Sequence, residues 1–149
     1  MKKQYFLFFA VLTLIISSCG KDNTTEEILS KNVFALSPVA DSKISGNVSF
    51  VKYEDGRTEV ILKINNSSED IHPAYIYANS LTEGGPVALT LAPIECDCEE
   101  SITVVSKWDN GQAVTYEDLI NFDGHLKIHQ NKEHLEIVIA QGNIGMNAQ

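Results

Sequence analysis

An Asp-Gly dipeptide between two alternating segments is the feature that most restricts how this chain can fold. The segments VSFVKY (48–53) and VILKI (60–64) flank Asp55-Gly56, and their side chains alternate with a period of two. Asp-Gly between such segments is the strongest short-range signal for a β-hairpin, because both central turn residues need positive φ. The sequence therefore predicts two paired antiparallel strands here.

Short strand-like segments continue along the rest of the chain. Turn clusters rich in Gly, Asn, Asp, Ser and Pro separate them. A helical turn is indicated at Thr115–Ile120, which is too short to form a layer alone. About seven short strands at this spacing predict an all-β fold, an antiparallel sandwich or barrel with Greek-key links. The further candidate strands are Ala74–Tyr77, Val87–Leu91, Ile102–Lys107, His125–His129 and Leu135–Ala140.

The N-terminus has the three parts of a bacterial export signal. A charged start, Met1-Lys2-Lys3, precedes the apolar segment YFLFFAVLTLII (5–16), and small residues follow before Cys19. The apolar segment has 12 residues, whereas a permanent membrane helix needs about 20. It is typical of a cleaved signal peptide, and not of a membrane-spanning helix.

Cys19 resembles the lipobox cysteine of bacterial lipoproteins, whose thiol carries diacylglycerol and which becomes the new N-terminus. Two or three acyl chains anchor a protein stably, whereas one does so only marginally. Lys21-Asp22 also resembles the surface-export signal of Bacteroidetes lipoproteins. We expect a signal peptide over 1–18, a lipidated Cys19 with a flexible tether over 19–31, and a place on the periplasmic or cell-surface side of the outer membrane. The alternative is a plain secretory signal with an incidental Cys19.

The mature chain is strongly acidic. Removal of residues 1–18 takes away Lys2 and Lys3 and no acid, so the formal net charge changes from −9 to −11. The remaining length suits a single domain, which we place at 32–146. The acidic balance argues against nucleic acid and anionic lipid headgroups as partners.

Two segments of this domain resemble the CHRD domain, a family named from chordin that also occurs in secreted bacterial proteins. HPAYIYANSLTEGGPVALTLAP (72–93) is similar to its first segment, in which His-Pro-Ala-His-Ile-His precedes Gly-Gly-Pro-Val. YEDLINFDGHLKIHQNKEHLEIVIAQGNIG (116–145) is similar to its second. The resemblance covers about residues 33–146. It implies an all-β fold similar to copper/zinc superoxide dismutase and a family without established catalytic activity.

The histidines are candidate ligands for a metal ion. Where the family pattern has His-x-His, this chain has Tyr75 and Tyr77, so only His72 remains of that cluster. On a strand, His125 and His129 share a face but lie about 13 Å apart, too far to chelate one ion together. A zinc or copper site at His72 and His129 is therefore the alternative to a protein without a cofactor.

The segment PIECDCEE (93–100) places Cys96 and Cys98 among carboxylates. One interpretation is a Cys96–Cys98 disulfide in an oxidising envelope, although so small a ring is strained. A second is a thiolate and carboxylate site for zinc or copper(I). A third is a solvated acidic loop, whose acids raise the pKa of both thiols and so oppose nucleophilic catalysis.

Three aromatic residues are candidate contact residues for a partner. Tyr75 and Tyr77 share one strand face, which is either core or a ligand platform. Trp108 stands next to a turn and is either the rim of the core or a contact residue.

No motif in the chain positions a catalytic nucleophile with its base. We therefore expect a non-enzymatic binding or structural module that is held at the membrane by lipid and contacts an extracellular protein or glycan. The alternative is a metal-binding or redox protein that uses His72 and His129, with Cys96 and Cys98 as further ligands.

Overall fold

The computed structural model describes residues 26–67, 70–95 and 98–148, and these residues form an antiparallel β-fold with one short helix. The predicted all-β sandwich or barrel class is thereby confirmed. The elements are β1 (Ile28–Pro38), β2 (Ser45–Tyr53), β3 (Thr58–Asn65), β4 (Ala74–Ala78), β5 (Val87–Thr90), β6 (Glu100–Val105), α1 (Tyr116–Ile120), β7 (Asp123–His129) and β8 (Val138–Gly145), followed by a 3₁₀ turn at Met146–Ala148.

The strands of the described residues form one curled sheet in the order β5-β4-β7-β8-β1-β2-β3-β6. Strand β1 joins its two halves, because Ile28–Leu36 pairs with β2 whereas Ser37 and Pro38 pair with β8. We call β6, β3, β2 and β1 the first half, and β8, β7, β4 and β5 the second half. The connections from β3 to β4, from β5 to β6 and from β6 to β7 cross between the halves.

The predicted hairpin is present as β2 and β3. Lys52 pairs with Thr58, and the Tyr53 N–H donates to the Arg57 carbonyl at 2.9 Å. Gly56 alone in this turn adopts positive φ, at 86°. Asp55 instead fixes the turn with its side chain, whose Oδ1 accepts from the Arg57 N–H at 2.9 Å. An Asx-type hydrogen bond thus replaces the positive φ expected at Asp55.

Side chains from the two halves meet inside the curl. Alternate residues of the strands point inward, as the period of two requires. Burial of each large apolar side chain contributes about 1.5–3 kcal/mol relative to exposure. The core therefore holds the two halves face to face. Its fully buried side chains include Phe50, Leu62, Ile76, Leu126 and Ile144.

Strands β1 and β8 differ most from the prediction, whereas β6 (expected at Ile102–Lys107) begins and ends two residues earlier and β7 (expected at His125–His129) begins two residues earlier. Strand β1 begins at Ile28, so residues 28–31 of the predicted tether belong to the sheet. In β1 only Leu36 is fully buried. The strand therefore shows little alternation of apolar and polar residues from which it could be predicted. The final strand was expected at Leu135–Ala140 but spans Val138–Gly145. A Cβ on Gly142 would lie 2.2 Å from the Ala35 carbonyl oxygen, so the close approach of β1 requires a residue that sequence patterns score against strands.

Asp109 covers the outer edge of β5. Its N–H donates to the Ala88 carbonyl at 3.0 Å, and its Oδ1 accepts from the Thr90 N–H at 3.0 Å. Its Oδ2 accepts from the Thr90 hydroxyl at 2.7 Å. These bonds occupy backbone groups that an open strand edge would offer to other chains.

Strand β6, at the opposite end of the sheet, is tied to the segment that follows β5. The Ser101 hydroxyl donates to the Ala92 carbonyl at 3.0 Å, and the Thr103 hydroxyl accepts from the Ala92 N–H at 2.9 Å. The curled sheet is therefore closed by side chains at its two edges, and β5 and β6 are not neighbours in its ladder.

No helix in the described ranges 26–67, 70–95 and 98–148 is long and apolar enough to cross a membrane.

We predict that Asp109→Ala lowers the free energy of unfolding by about 1–2 kcal/mol, because it removes two side-chain hydrogen bonds at the edge of β5. Urea denaturation followed by circular dichroism measures this change. Asp41→Ala is the control, since it removes the same charge from an exposed position. Equal stabilities for the two variants would contradict the structural role of Asp109.

Candidate functional site

A surface groove lies where the segment after β6 meets α1 and the start of β7. Its volume is about 830 Å³, within the range of about 300–1,000 Å³ that is typical of ligand sites. We call it the Trp108 groove. It is lined by Trp108, Gln112, Ala113, Glu117, Asp118, Asn121, Phe122 and Asp123.

Two aromatic rings form the apolar part of the Trp108 groove. The ring centroids of Trp108 and Phe122 are 4.6 Å apart, with 34° between the ring planes. Both side chains are half-buried and pack against the hydrophobic core. Aromatic pairs at this separation contribute beyond their buried area, so each ring fixes the other. Trp108 is thus a residue at the rim of the core that also lines the groove, and its role as a contact residue stays a prediction.

A tight turn holds Trp108 in place. Its N–H donates to the Gln112 carbonyl at 2.9 Å, and the Gly111 N–H donates back to the Trp108 carbonyl at 2.9 Å. Gly111 has a φ of 85°, which glycine adopts without strain. The carboxylate of the neighbouring Asp109 accepts two hydrogen bonds from Thr90 of β5. The indole is therefore carried by a segment that is fixed on both sides.

Helix α1 supplies the acidic rim of the groove. Its N-cap is Thr115, and Thr115 and Asp118 form a capping box in which each side chain accepts from the other residue's N–H, at 3.2 and 2.9 Å. Glu117 accepts from the Lys52 ammonium at 2.6 Å. The Lys52 hydrogen bond lowers the pKa of Glu117, and the Thr115 hydrogen bond lowers the pKa of Asp118. Both carboxyls are therefore ionised at neutral pH.

Amides complete the rim. The Asn121 side chain donates to the Glu117 carbonyl at 2.8 Å, and the Gln112 Oε1 accepts from the Asn110 amide at 3.1 Å. On the far side, the Asp123 carboxylate accepts from the Asn147 amide. These hydrogen bonds hold the polar groups at set positions and leave further lone pairs and N–H groups unused.

The combination of an aromatic surface with fixed carboxylates and amides suits a polyhydroxylated ligand. A sugar ring has an apolar C–H face that packs on an aromatic ring, and hydroxyls that donate to carboxylates and exchange hydrogen bonds with amides. Hydrolysis of a glycosidic bond needs a protonated carboxyl with a raised pKa. Glu117 and Asp118 have lowered pKa values, so neither of them is suited to supply that proton.

The predicted contact residues Tyr75 and Tyr77 lie on a different surface. They alternate with buried residues of β4 and project from the outer side of the second half, together with His125, Lys127 and His129 of β7. We call these five residues the Tyr–His face. They are neither core nor an open platform, since both tyrosines are half-buried against histidine rings.

Ring contacts connect the members of the Tyr–His face. Tyr77 stacks on His125 with ring centroids 5.2 Å apart and 10° between the planes. Its hydroxyl lies 3.0 Å from Nε2 of His129, and the Lys127 ammonium is 5.3 Å from its ring centroid. Tyr75 meets His129 edge-on at 5.5 Å.

Burial controls the ionisation of this face. Burial is the largest effect and lowers the pKa of both His125 and His129. Backbone hydrogen bonds oppose it, and the Lys127 charge adds a smaller lowering of both pKa values. Burial, with a smaller contribution from Tyr75, raises the pKa of Tyr77. All three groups are therefore neutral at pH 7.

The structure does not bring His72 and His129 to a shared position. His72 lies on the core side, where its backbone exchanges hydrogen bonds with Ile94 at 2.9 and 3.0 Å and its Nδ1 lies 2.7 Å from the Gln130 carbonyl oxygen. His129 projects from the opposite side of the sheet, against the tyrosines. Across 26–67, 70–95 and 98–148, no group of three or more His, Cys, Asp or Glu side chains is placed to hold a metal ion. The positions of His72 and His129 therefore give no support to a zinc or copper site that both histidines share.

The cysteine predictions fall largely outside the described residues. Cys98 is exposed in the turn before β6, where its N–H donates to the Glu95 carbonyl at 3.2 Å. Cys19 and Cys96 lie outside the described residues, so the lipidation, the Cys96–Cys98 disulfide and its two alternatives stay predictions.

Sequence reasoning selected Trp108 but not the residues around it. Thr115 and Asp118 have the spacing of a capping box, which was the available signal that α1 is a fixed element. No local signal indicates the contact between Trp108 and Phe122, because Trp108 precedes α1 in the sequence and Phe122 follows it.

Comparison with protein-family models, with curated proteins and with solved structures finds no match to this chain. The resemblance to the CHRD domain therefore stays a prediction.

Proposed function

We propose that this protein is a lipid-anchored protein of the bacterial outer membrane whose β-domain is a non-enzymatic module that binds a neutral glycan in the Trp108 groove. The export signal and Cys19 in the sequence support the anchor. A single observation carries the binding role, namely the half-buried Trp108–Phe122 pair beneath a fixed rim of carboxylates and amides.

The start of the described chain is compatible with a tether. The backbone carbonyl of Glu27 accepts a hydrogen bond from the Glu54 N–H at 3.0 Å, and the Glu26 carboxylate forms an ion pair with Arg57. The domain thus begins beside the turn between β2 and β3. The lining of the Trp108 groove includes none of residues 26–28.

Charge favours a neutral ligand over an anionic one. The mature chain has a formal net charge of −11, and Glu117 and Asp118 in the rim are ionised because hydrogen bonds from Lys52 and Thr115 lower their pKa values. A polyanion such as a polyuronate or a nucleic acid would be repelled at this site. A neutral glycan is not repelled, and the carboxylates of the rim can accept hydrogen bonds from its hydroxyls.

The lipid anchor is tested by mass spectrometry of the mature protein from cells fed an alkyne-labelled fatty acid. We expect the label on a chain that begins at Cys19, and a Cys19→Ser variant that carries no label and leaves the membrane fraction. A wild-type mass equal to that of the unmodified cleaved chain would contradict the anchor, and would leave the binding proposal untouched.

Glycan binding is tested by affinity electrophoresis through soluble glucan, xylan, mannan and polygalacturonate. We expect at least one neutral polysaccharide to retard the wild type and polygalacturonate to have no effect. Trp108→Ala should weaken this binding at least tenfold, about 1.4 kcal/mol, because it removes the larger of the two rings that form the apolar part of the groove.

Tyr75→Ala is the matched control, since it removes an aromatic side chain that is likewise half-buried, from the Tyr–His face. It should bind as the wild type does. The proposal fails if no neutral polysaccharide retards the wild type, or if Trp108→Ala and Tyr75→Ala weaken binding equally.

A further inference from the structure

His125 connects the Tyr–His face to the loop over residues 79–86. Its ring Nδ1 lies 2.7 Å from the Asn79 carbonyl oxygen. The Asn79 N–H donates to the Asp123 carbonyl at 2.8 Å, and the Leu81 N–H donates to Oδ1 of Asn143 on β8 at 2.9 Å. These three contacts hold the start of the 79–86 loop against the second half of the sheet.

The tautomer of His125 follows from its partner. A carbonyl oxygen only accepts, so Nδ1 carries the proton and donates it to Asn79. The other ring nitrogen, Nε2, then has a lone pair. The side chain is completely buried, and Nε2 has no hydrogen-bond partner. Protonation would place a new N–H where no acceptor waits, and an unsatisfied buried donor is costly.

The surroundings of His125 compensate a positive charge only in part, because burial outweighs the favourable hydrogen bond to the Asn79 carbonyl. On β4 and β7 it meets Tyr77 by stacking, and the cationic Lys127 and the titratable His129 share its face. Across the ladder on β8 stands the neutral Asn143. The nearest carboxylates along the chain are engaged elsewhere, Glu83 with the Ser80 hydroxyl and Asp123 with Asn147. In the described part of the chain no carboxylate pairs with His125.

We propose that His125 is an acid-sensitive latch that holds the 79–86 loop on the second half of the sheet and releases it when the imidazole becomes charged. Outward movement of the loop takes the Asn79 carbonyl away from the ring and admits water to the buried imidazole. The imidazole of His125 therefore binds a proton less tightly when the loop is closed than when it is open. By linkage, acid shifts the equilibrium toward the open loop.

The direction of the pH dependence follows from this difference. With the loop closed, burial holds the pKa of His125 below its ordinary value of 6.5. The contribution of closure is fully present above pH 6.5 and is lost as the pH falls through the lowered pKa of the closed state. Release is thus confined to acidic conditions.

The test is amide hydrogen exchange of the whole domain at pH 7.5 and pH 5.0, with each rate divided by its intrinsic rate at the same pH. We expect protection of the Leu81 amide to fall at least tenfold at pH 5.0. Protection of the Val60 amide, in the ladder between β2 and β3, should change less than twofold. A parallel loss at Val60 would mean that acid acts through global unfolding, which overturns the latch.

Two variants locate the effect. His125→Phe keeps a flat ring against Tyr77 but cannot titrate, so Leu81 protection should be independent of pH, although lower at pH 7.5. His134→Gln, at an exposed position, should respond as the wild type does. If His125→Phe keeps the tenfold acid response, the latch is not His125.

A measurement on the wild type alone covers the case in which His125→Phe does not fold. Proton NMR of the imidazole gives the titration midpoint of His125, which should lie below 6.5 and coincide with the midpoint of the loss of Leu81 protection. Midpoints that differ by a full pH unit would overturn the proposal.

Discussion

The bond between Asp109 and the edge of β5 is the constraint on which the rest of the surface depends. The sheet curls until its outer strands approach, but no ladder joins β5 to β6. Asp109 fills that gap by hydrogen bonding to both Ala88 and Thr90. Since Trp108 directly precedes Asp109, the same contacts fix the indole against Phe122. One carboxylate thus protects a strand edge and builds the candidate binding groove.

The fold class followed from local pattern, whereas the strand boundaries depended on contacts between distant segments. The β2–β3 hairpin was predictable because Asp55-Gly56 and its flanking alternation are local. Strand β1 was not, because ladder pairing with β2 and β8 holds it while most of its side chains stay exposed. The C-terminal part of β8 was not predicted as strand because it contains Gly142, a glycine that the close approach of β1 requires.

The candidate sites show the same division. Trp108 stood out because a large aromatic next to a turn is unusual in itself, but its partners join it only through tertiary packing. The positions of the two histidines likewise depend on distant segments. The backbone of His72 pairs with Ile94, whereas the ring of His129 lies against Tyr75 and Tyr77, and neither contact is visible in the sequence. The burial of His125 arises in the same way, since Tyr77 and the Asn79 carbonyl contact its ring from other segments of the chain.

The most direct test of the central claim is a map of backbone and indole N–H chemical shifts during titration with neutral gluco-, xylo- and manno-oligosaccharides. We predict that at least one series perturbs the Trp108 indole and the amides of Gln112, Asn121 and Phe122, with little change at Tyr75, Tyr77 or His129. No perturbation with any series, or a perturbation centred on the Tyr–His face, would contradict the assignment of the Trp108 groove as the binding site.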